Sequence, residues 1–119
     1  MNWYLSKLVF QIICGEGNHT AQFDEQLRLI RAEDETEAYS RALALGLKEQ
    51  DEFFDSQQKI VQWKFINLAE LYKLSALLDG AELHSKIQEI DHPELYIELT
   101  NHKAAHIRQN STRKMLGII

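Results

Sequence analysis

Between Trp3 and Cys14, apolar residues fall on both parities of the chain: Leu5, Val9 and Ile13 on one, Tyr4, Leu8, Phe10 and Ile12 on the other. Alternate side chains of a strand point to opposite faces, so this run predicts a central β-strand covered on both sides. Gly15-Glu16-Gly17-Asn18 follows with turn chemistry. Phe23, Leu27 and Leu29 then alternate with Asp24, Gln26 and Arg28, which predicts a second strand, wet on one face and antiparallel to the first.

The period changes after Ala32. Asp34 can accept from the free amides of a first helical turn while Glu37 reaches back, and Ala38, Ala42 and Leu45 follow on one face. Gly46 reads as the left-handed stop of that helix, and Lys48 to Phe54 as a further short helical piece. Val61, Trp63 and Phe65 resume strand alternation, which Ile66, Leu68, Leu71 and Leu74 break, so a bulge near Asn67 or a helical turn after it is expected. Asp79-Gly80 marks a turn, and Leu83, Ser85 and Ile87 a fourth strand. Asp91, Pro93 and Glu94 start a second helix, with Leu95, Leu99, His102 and Tyr96 as its apolar stripe.

The pattern also contains an echo. Glu25, Ile30, Asp34, Glu37 and Tyr39 recur in identical spacing as Glu82, Ile87, Asp91, Glu94 and Tyr96. A strand-strand-helix unit used twice would produce it. The expected class is therefore α+β: an antiparallel sheet with helices on one face, built from a duplicated unit.

Composition narrows this without redirecting it. With 119 residues, 45% of them hydrophobic, one core is expected, in a single domain over residues 1–108 followed by a tail over 109–119. The tail is basic: from Asn101 onward there is no Asp or Glu, whereas Lys103, Arg108, Arg113 and Lys114 are cationic. The net charge of −5 makes the remaining body acidic and disfavours general nucleic-acid binding. The lone Cys14 lies in an apolar run and is expected as a buried, inert thiol. No signal-peptide pattern opens the chain and no apolar run approaches the ~20 residues of a bilayer span, so a soluble cytoplasmic protein without membrane contact is expected.

Several stretches together resemble a known family. They are Trp3-Tyr4-x-x-Lys7-x-Val9-Phe10, Leu29-Ile30-x-Ala32, Glu37-Ala38-Tyr39, Ala42-Leu43-Ala44-Leu45-Gly46, Trp63-Lys64-Phe65, Glu70-Leu71 and Asp79-Gly80-x-Glu82-Leu83-x-Ser85. Over roughly residues 3–105 the chain is similar to an uncharacterised bacterial family, the domain of unknown function numbered four-two-eight-eight. The resemblance implies a small bacterial protein and carries over no activity, so no catalytic residue follows from it.

Motifs for chemistry are sparse. His102 and His106 have the spacing of two ligands on one helical face, but no third ligand is placed by the sequence, and neither a metal nor a cofactor is expected. The chain lacks Glu-x-Lys, the phosphate-cradling glycine loops and the nucleophile elbow. Glu25 and Glu82, at equivalent repeat positions, together with His84 and Trp63, are the candidates for a ligand cleft.

Two functions remain. The first is a non-enzymatic interaction or accessory module acting as a homodimer or with a protein partner. One helical layer cannot easily cover both faces of the first strand, which makes Tyr4, Leu8, Phe10 and Ile12 the interface candidates. The alternative is a small enzyme or ligand-binding domain that uses carboxylates and a histidine in a sheet-helix cleft.

Overall fold

The run from Asn2 to Cys14 forms one 13-residue strand, β1, at the middle of an antiparallel sheet. The computed structural model describes residues 1–115, with side chains through residue 110. After β1 come β2 (Gln22–Ala32), α1 (Glu35–Lys48), β3 (Asp51–Phe54), β4 (Ile60–Lys73) and α2 (Pro93–Met115). The sheet order is β2-β1-β4-β3. The chain divides into two compact units, Met1–Ser85 and Lys86–Ile119. The division expected at residue 108 falls inside α2.

The antiparallel register Tyr4↔Ile30, Ser6↔Arg28, Leu8↔Gln26 and Phe10↔Asp24 sets the two faces of the sheet. On β1 the even positions Tyr4, Ser6, Leu8 and Phe10 are buried, and they join Ile30, Ala32, Ala38 and Ala42 in the core beneath α1. Phe65, Leu68 and Leu71 of β4 pack against this cluster from the same face. Each large side chain so enclosed contributes roughly 1.5–3 kcal/mol. The fully buried Ser6 is satisfied because its Oγ donates to the Arg28 carbonyl at 2.9 Å.

Helix α1 begins as its sequence dictates. Asp34 is the N-cap, in extended backbone, and its Oδ1 accepts from Glu37 N–H at 2.8 Å. Glu37 reaches back to Glu33 N–H, one residue before the cap, at 3.4 Å. The helix does not stop at Gly46. It runs on to Lys48 and is capped at Glu49, whose N–H bonds to the Leu45 carbonyl. Gly46 is buried on the face that meets the sheet, so close approach accounts for it rather than helix termination.

Lys48 to Phe54 is not helical beyond Lys48. Asp51–Phe54 is the edge strand β3, paired with β4 through Phe53↔Val61. The reason is the turn that follows: Asp55 Oδ1 accepts from the N–H groups of Gln57 and Lys59, folding the chain back into a hairpin. In β4 the register against β1 slips twice, between Lys7 and Leu8 and between Val9 and Phe10, so bulges flank Asn67 as expected.

The repeat is matched by the structure only in part: Asp34, Glu37 and Tyr39 and their counterparts Asp91, Glu94 and Tyr96 both stand at the start of a helix. The order strand-strand-helix does occur twice, but the second pair is β3 and β4. Glu82 and Ile87, the counterparts of Glu25 and Ile30 in β2, lie in residues 81–90, which form no strand. The Asp79-Gly80 turn is present, with Ala81 N–H bonded to the Leu78 carbonyl at 3.0 Å. In the second unit, Tyr96 N–H donates to the His92 carbonyl, so His92 rather than Asp91 holds the cap position of α2 and Pro93 is its first helical residue. Tyr96 to Leu99 is helical, as the expected second helix requires. The side chains of Arg113 and Lys114 in the basic tail lie outside the described residues.

Candidate functional site

Opposite α1 the unit Met1–Ser85 presents a second sheet face, built from the odd positions of β1 and β2 and from Asn67, Glu70 and Tyr72 of β4. On this face Leu27 is 63% exposed, Phe23 56% and Leu29 49%. Leu5 and Val9 beside them are half-buried. Residues 77–84 return over part of it and enclose a cleft of about 470 Å³ lined by Leu5, Lys7, Leu27, Leu29, Glu70, Tyr72, Leu77, Leu83 and His84.

Four polar side chains converge inside these leucine walls. Lys7 Nζ lies 2.7 Å from Glu70 Oε2. Tyr72 Oη donates to Glu70 Oε1 at 2.9 Å. The His84 ring stacks on Tyr72, with centroids 3.9 Å apart and planes 23° from parallel. The positions follow from register, since Lys7 faces Glu70 directly and Leu5 faces Tyr72 across β1 and β4.

Lys7, Glu70 and Tyr72 are each held in their resting states. The hydrogen bond to Glu70 raises the Lys7 ammonium above the ordinary lysine value, and the neighbouring charge of Glu25 adds to it. The bond from Lys7 and then that from Tyr72 hold the Glu70 carboxyl below the usual range. Donation to Glu70 pushes the Tyr72 phenol up. Lysine stays cationic, glutamate anionic and tyrosine neutral over a wider span of pH than each would alone.

The residues singled out by sequence are dispersed. His84 lies in the cleft, and Glu25 stands on the same face beside Lys7. Glu82 is exposed and does not line the cleft. Trp63 is on the α1 face, stacked on Phe53 with centroids 6.2 Å apart, and its Nε1 donates to Asp24 Oδ2 at 3.1 Å. Tyr4, Leu8 and Phe10 are in the unit's own core, with Ile12 half-buried on the same side, so the face open to contact is the one they do not share. Cys14 is exposed at the end of β1, not buried. The apolar run ends there because Gly15 and Gly17 turn the chain with positive φ of 59° and 83°.

Lys7, Glu70 and Tyr72 were not found from sequence. One signal was available: Lys7 is the single charge in the whole of β1. Its partner is set by pairing across the sheet, which sequence spacing does not encode. Among the described residues no group of three or more His, Cys, Asp or Glu side chains is placed to hold a metal ion. No described helix is long and apolar enough to cross a membrane.

A family model, described as a domain of unknown function, matches residues 3–85. Its extent coincides with the unit Met1–Ser85 that carries the sheet, α1 and the cleft. No curated protein and no solved structure matches the chain.

Proposed function

Because the chain belongs to the DUF4288 family, a domain of unknown function, its role has to come from geometry, and we propose that it is a non-enzymatic recognition module. Its open sheet face takes up an apolar segment of a protein partner. The observation that carries this reading is the closed polar chain of the cleft. A lysine, carboxylate or phenol serves as general acid or base at neutral pH only when its pKa is moved toward the working value, and Lys7, Glu70 and Tyr72 are all moved away from it, which weighs against these three in that role. Lysine and glutamate also spend their charges on each other, leaving the leucine walls as the larger attraction for a ligand.

What such a cleft recognises is side-chain shape. Leu5, Leu27, Leu29, Leu77 and Leu83 form an apolar seat, and the stacked Tyr72–His84 pair supplies one flat polar-edged wall. Selection of a displayed peptide library on the wild-type protein, counter-selected on Leu29→Asp, tests this. Enrichment of peptides with one or two large apolar side chains that lose binding to the variant is the expected result. No enrichment, or equal binding to both proteins, overturns the reading.

A further inference from the structure

The outer edge of β2 is open along most of its 11 residues, and its chemistry points to one occupant. The Trp3 carbonyl accepts from Leu74, and Gly15 N–H donates to Ile60, so the odd positions of β1 turn their backbone groups toward β4. Even positions therefore turn toward β2, because neighbouring residues of a strand point their N–H and C=O to opposite sides. The unbroken register Ser6↔Arg28 and Leu8↔Gln26 makes the even positions of β2 face β1. Phe23, Glu25, Leu27 and Leu29 thus direct their N–H and C=O groups away from the sheet. At Arg31 the edge closes, since Arg41 Nη1 donates to that carbonyl. No proline, lysine or bulge blocks the strand, and its charges, Asp24, Glu25, Arg28 and Arg31, are of both signs, so that they guard the edge against some registers and can be matched in another.

We infer that this edge pairs antiparallel with β2 of a second copy of the chain, about a twofold axis at Gln26. An antiparallel two-copy sheet that keeps its faces in common must centre on a residue, and the candidate centres differ in charge. A centre at Glu25 or Arg28 sets like charges against each other, and a centre at Leu27 sets Asp24 against Ile30 and Glu25 against Leu29. The centre at Gln26 also sets Glu25 against a leucine, Leu27, but it alone sets Asp24 against Arg28 and Phe23 against Leu29, each twice by symmetry. Opposite charges and apolar pairs facing each other are the stabilising combinations of a sheet. Both charged side chains keep a free atom for this: Asp24 uses Oδ2 toward Gln26 and Trp63, and Arg28 uses Nε and Nη2 toward Gln26 and Glu49. On the open face, Phe23 of the second copy lies beside Leu29 and lengthens the wall of the cleft. The second copy thus contributes a side chain to that site, although the pairing itself does not depend on what the cleft binds.

The test uses full-length chains and measures mass by sedimentation. Wild type is expected as a dimer. Asp24→Arg makes both facing positions cationic and Arg28→Asp makes both anionic, so each variant alone dimerises roughly tenfold or more weakly. Mixing the two variants restores opposite signs at both pairs and restores dimer mass, which a merely misfolded variant cannot do. In a Cys14→Ser background, Gln26→Cys cross-links two chains under mild oxidation, because facing residues at a strand pair sit within disulfide range, whereas Leu27→Cys does not. A wild-type monomer at high concentration, failure of the mixture to recover dimer, or equal cross-linking at both positions overturns the inference.

Discussion

The ring of Phe65 occupies the space that a β-carbon on Gly46 would need, so helix and sheet touch there backbone against ring. Ala38, Ala42 and Gly46 form the buried edge of α1, and their small size lets the helix sit low on β1 and β4. Gly46→Ala adds helix propensity worth ~1 kcal/mol but forces the Phe65 ring aside, and overpacking of this kind costs about 1–3 kcal/mol. A net loss of up to about 2 kcal/mol is expected in urea unfolding. Phe65→Leu in the same chain should recover part of it. An unchanged or raised midpoint for Gly46→Ala would disprove the close-packing account.

The two aspartates that looked equivalent should behave differently. Asp34→Ala removes the side-chain acceptor of Glu37 N–H and should cost about 1 kcal/mol. Asp91 lies one residue before the cap of α2, so Asp91→Ala should cost well under half of that. Equal losses by chemical denaturation would restore Asp91 as a cap.

Glu70 sets an acid limb of stability. Its carboxyl is held below the ordinary range by Lys7 and Tyr72, so its contribution is present above about pH 4.3 and is lost as pH falls through its lowered folded value. Lys7, raised, contributes below the ordinary lysine value and loses that contribution as pH rises through its folded value. Melting temperature should therefore fall more steeply on acidification in wild type than in Glu70→Gln. Parallel curves would show that the pair is thermodynamically silent, as many exposed pairs are.

His84 ties residues 77–84 to the sheet through its stack on Tyr72. His84→Ala should speed amide exchange in that segment severalfold and leave β1 unchanged, while Tyr72→Phe keeps the stack and changes the segment little. Exchange that rises equally throughout the sheet in His84→Ala would mean that the stack supports the fold as a whole.

Zinc gives a further check. His102 and His106 lie one turn apart on α2, and no third ligand joins them among the described residues. Calorimetry should find no binding beyond that of an ordinary histidine-bearing surface. Submicromolar affinity abolished by His102→Ala would refute this.

Local chemistry by itself determined a good part of this protein. An apolar run on both parities made β1 and alternation made β2, the capping residues Asp34 and Glu37 started α1, and broken parity after Phe65 announced the bulges of β4, because each signal acts within a few residues of its effect. Repeated residues determined repeated structure only where the signal was local: Asp34, Glu37 and Tyr39 and their counterparts Asp91, Glu94 and Tyr96 both open a helix, but Glu25 and Ile30 lie in a strand whereas Glu82 and Ile87 lie in an irregular segment. Propensity is a weak prior that neighbouring strands override. Gly46 shows the same division, since a helix-ending residue type sits inside a helix once Phe65 requires the space. Which face of β1 went under α1, and which was left to carry the cleft, was decided only in the tertiary structure, where Ala38, Ala42 and Gly46 pack on the side of Tyr4, Leu8 and Phe10. The joining of Lys7, Glu70, Tyr72 and His84 likewise belongs to tertiary structure, because cross-strand register and a returning loop bring together residues that no spacing in the chain connects.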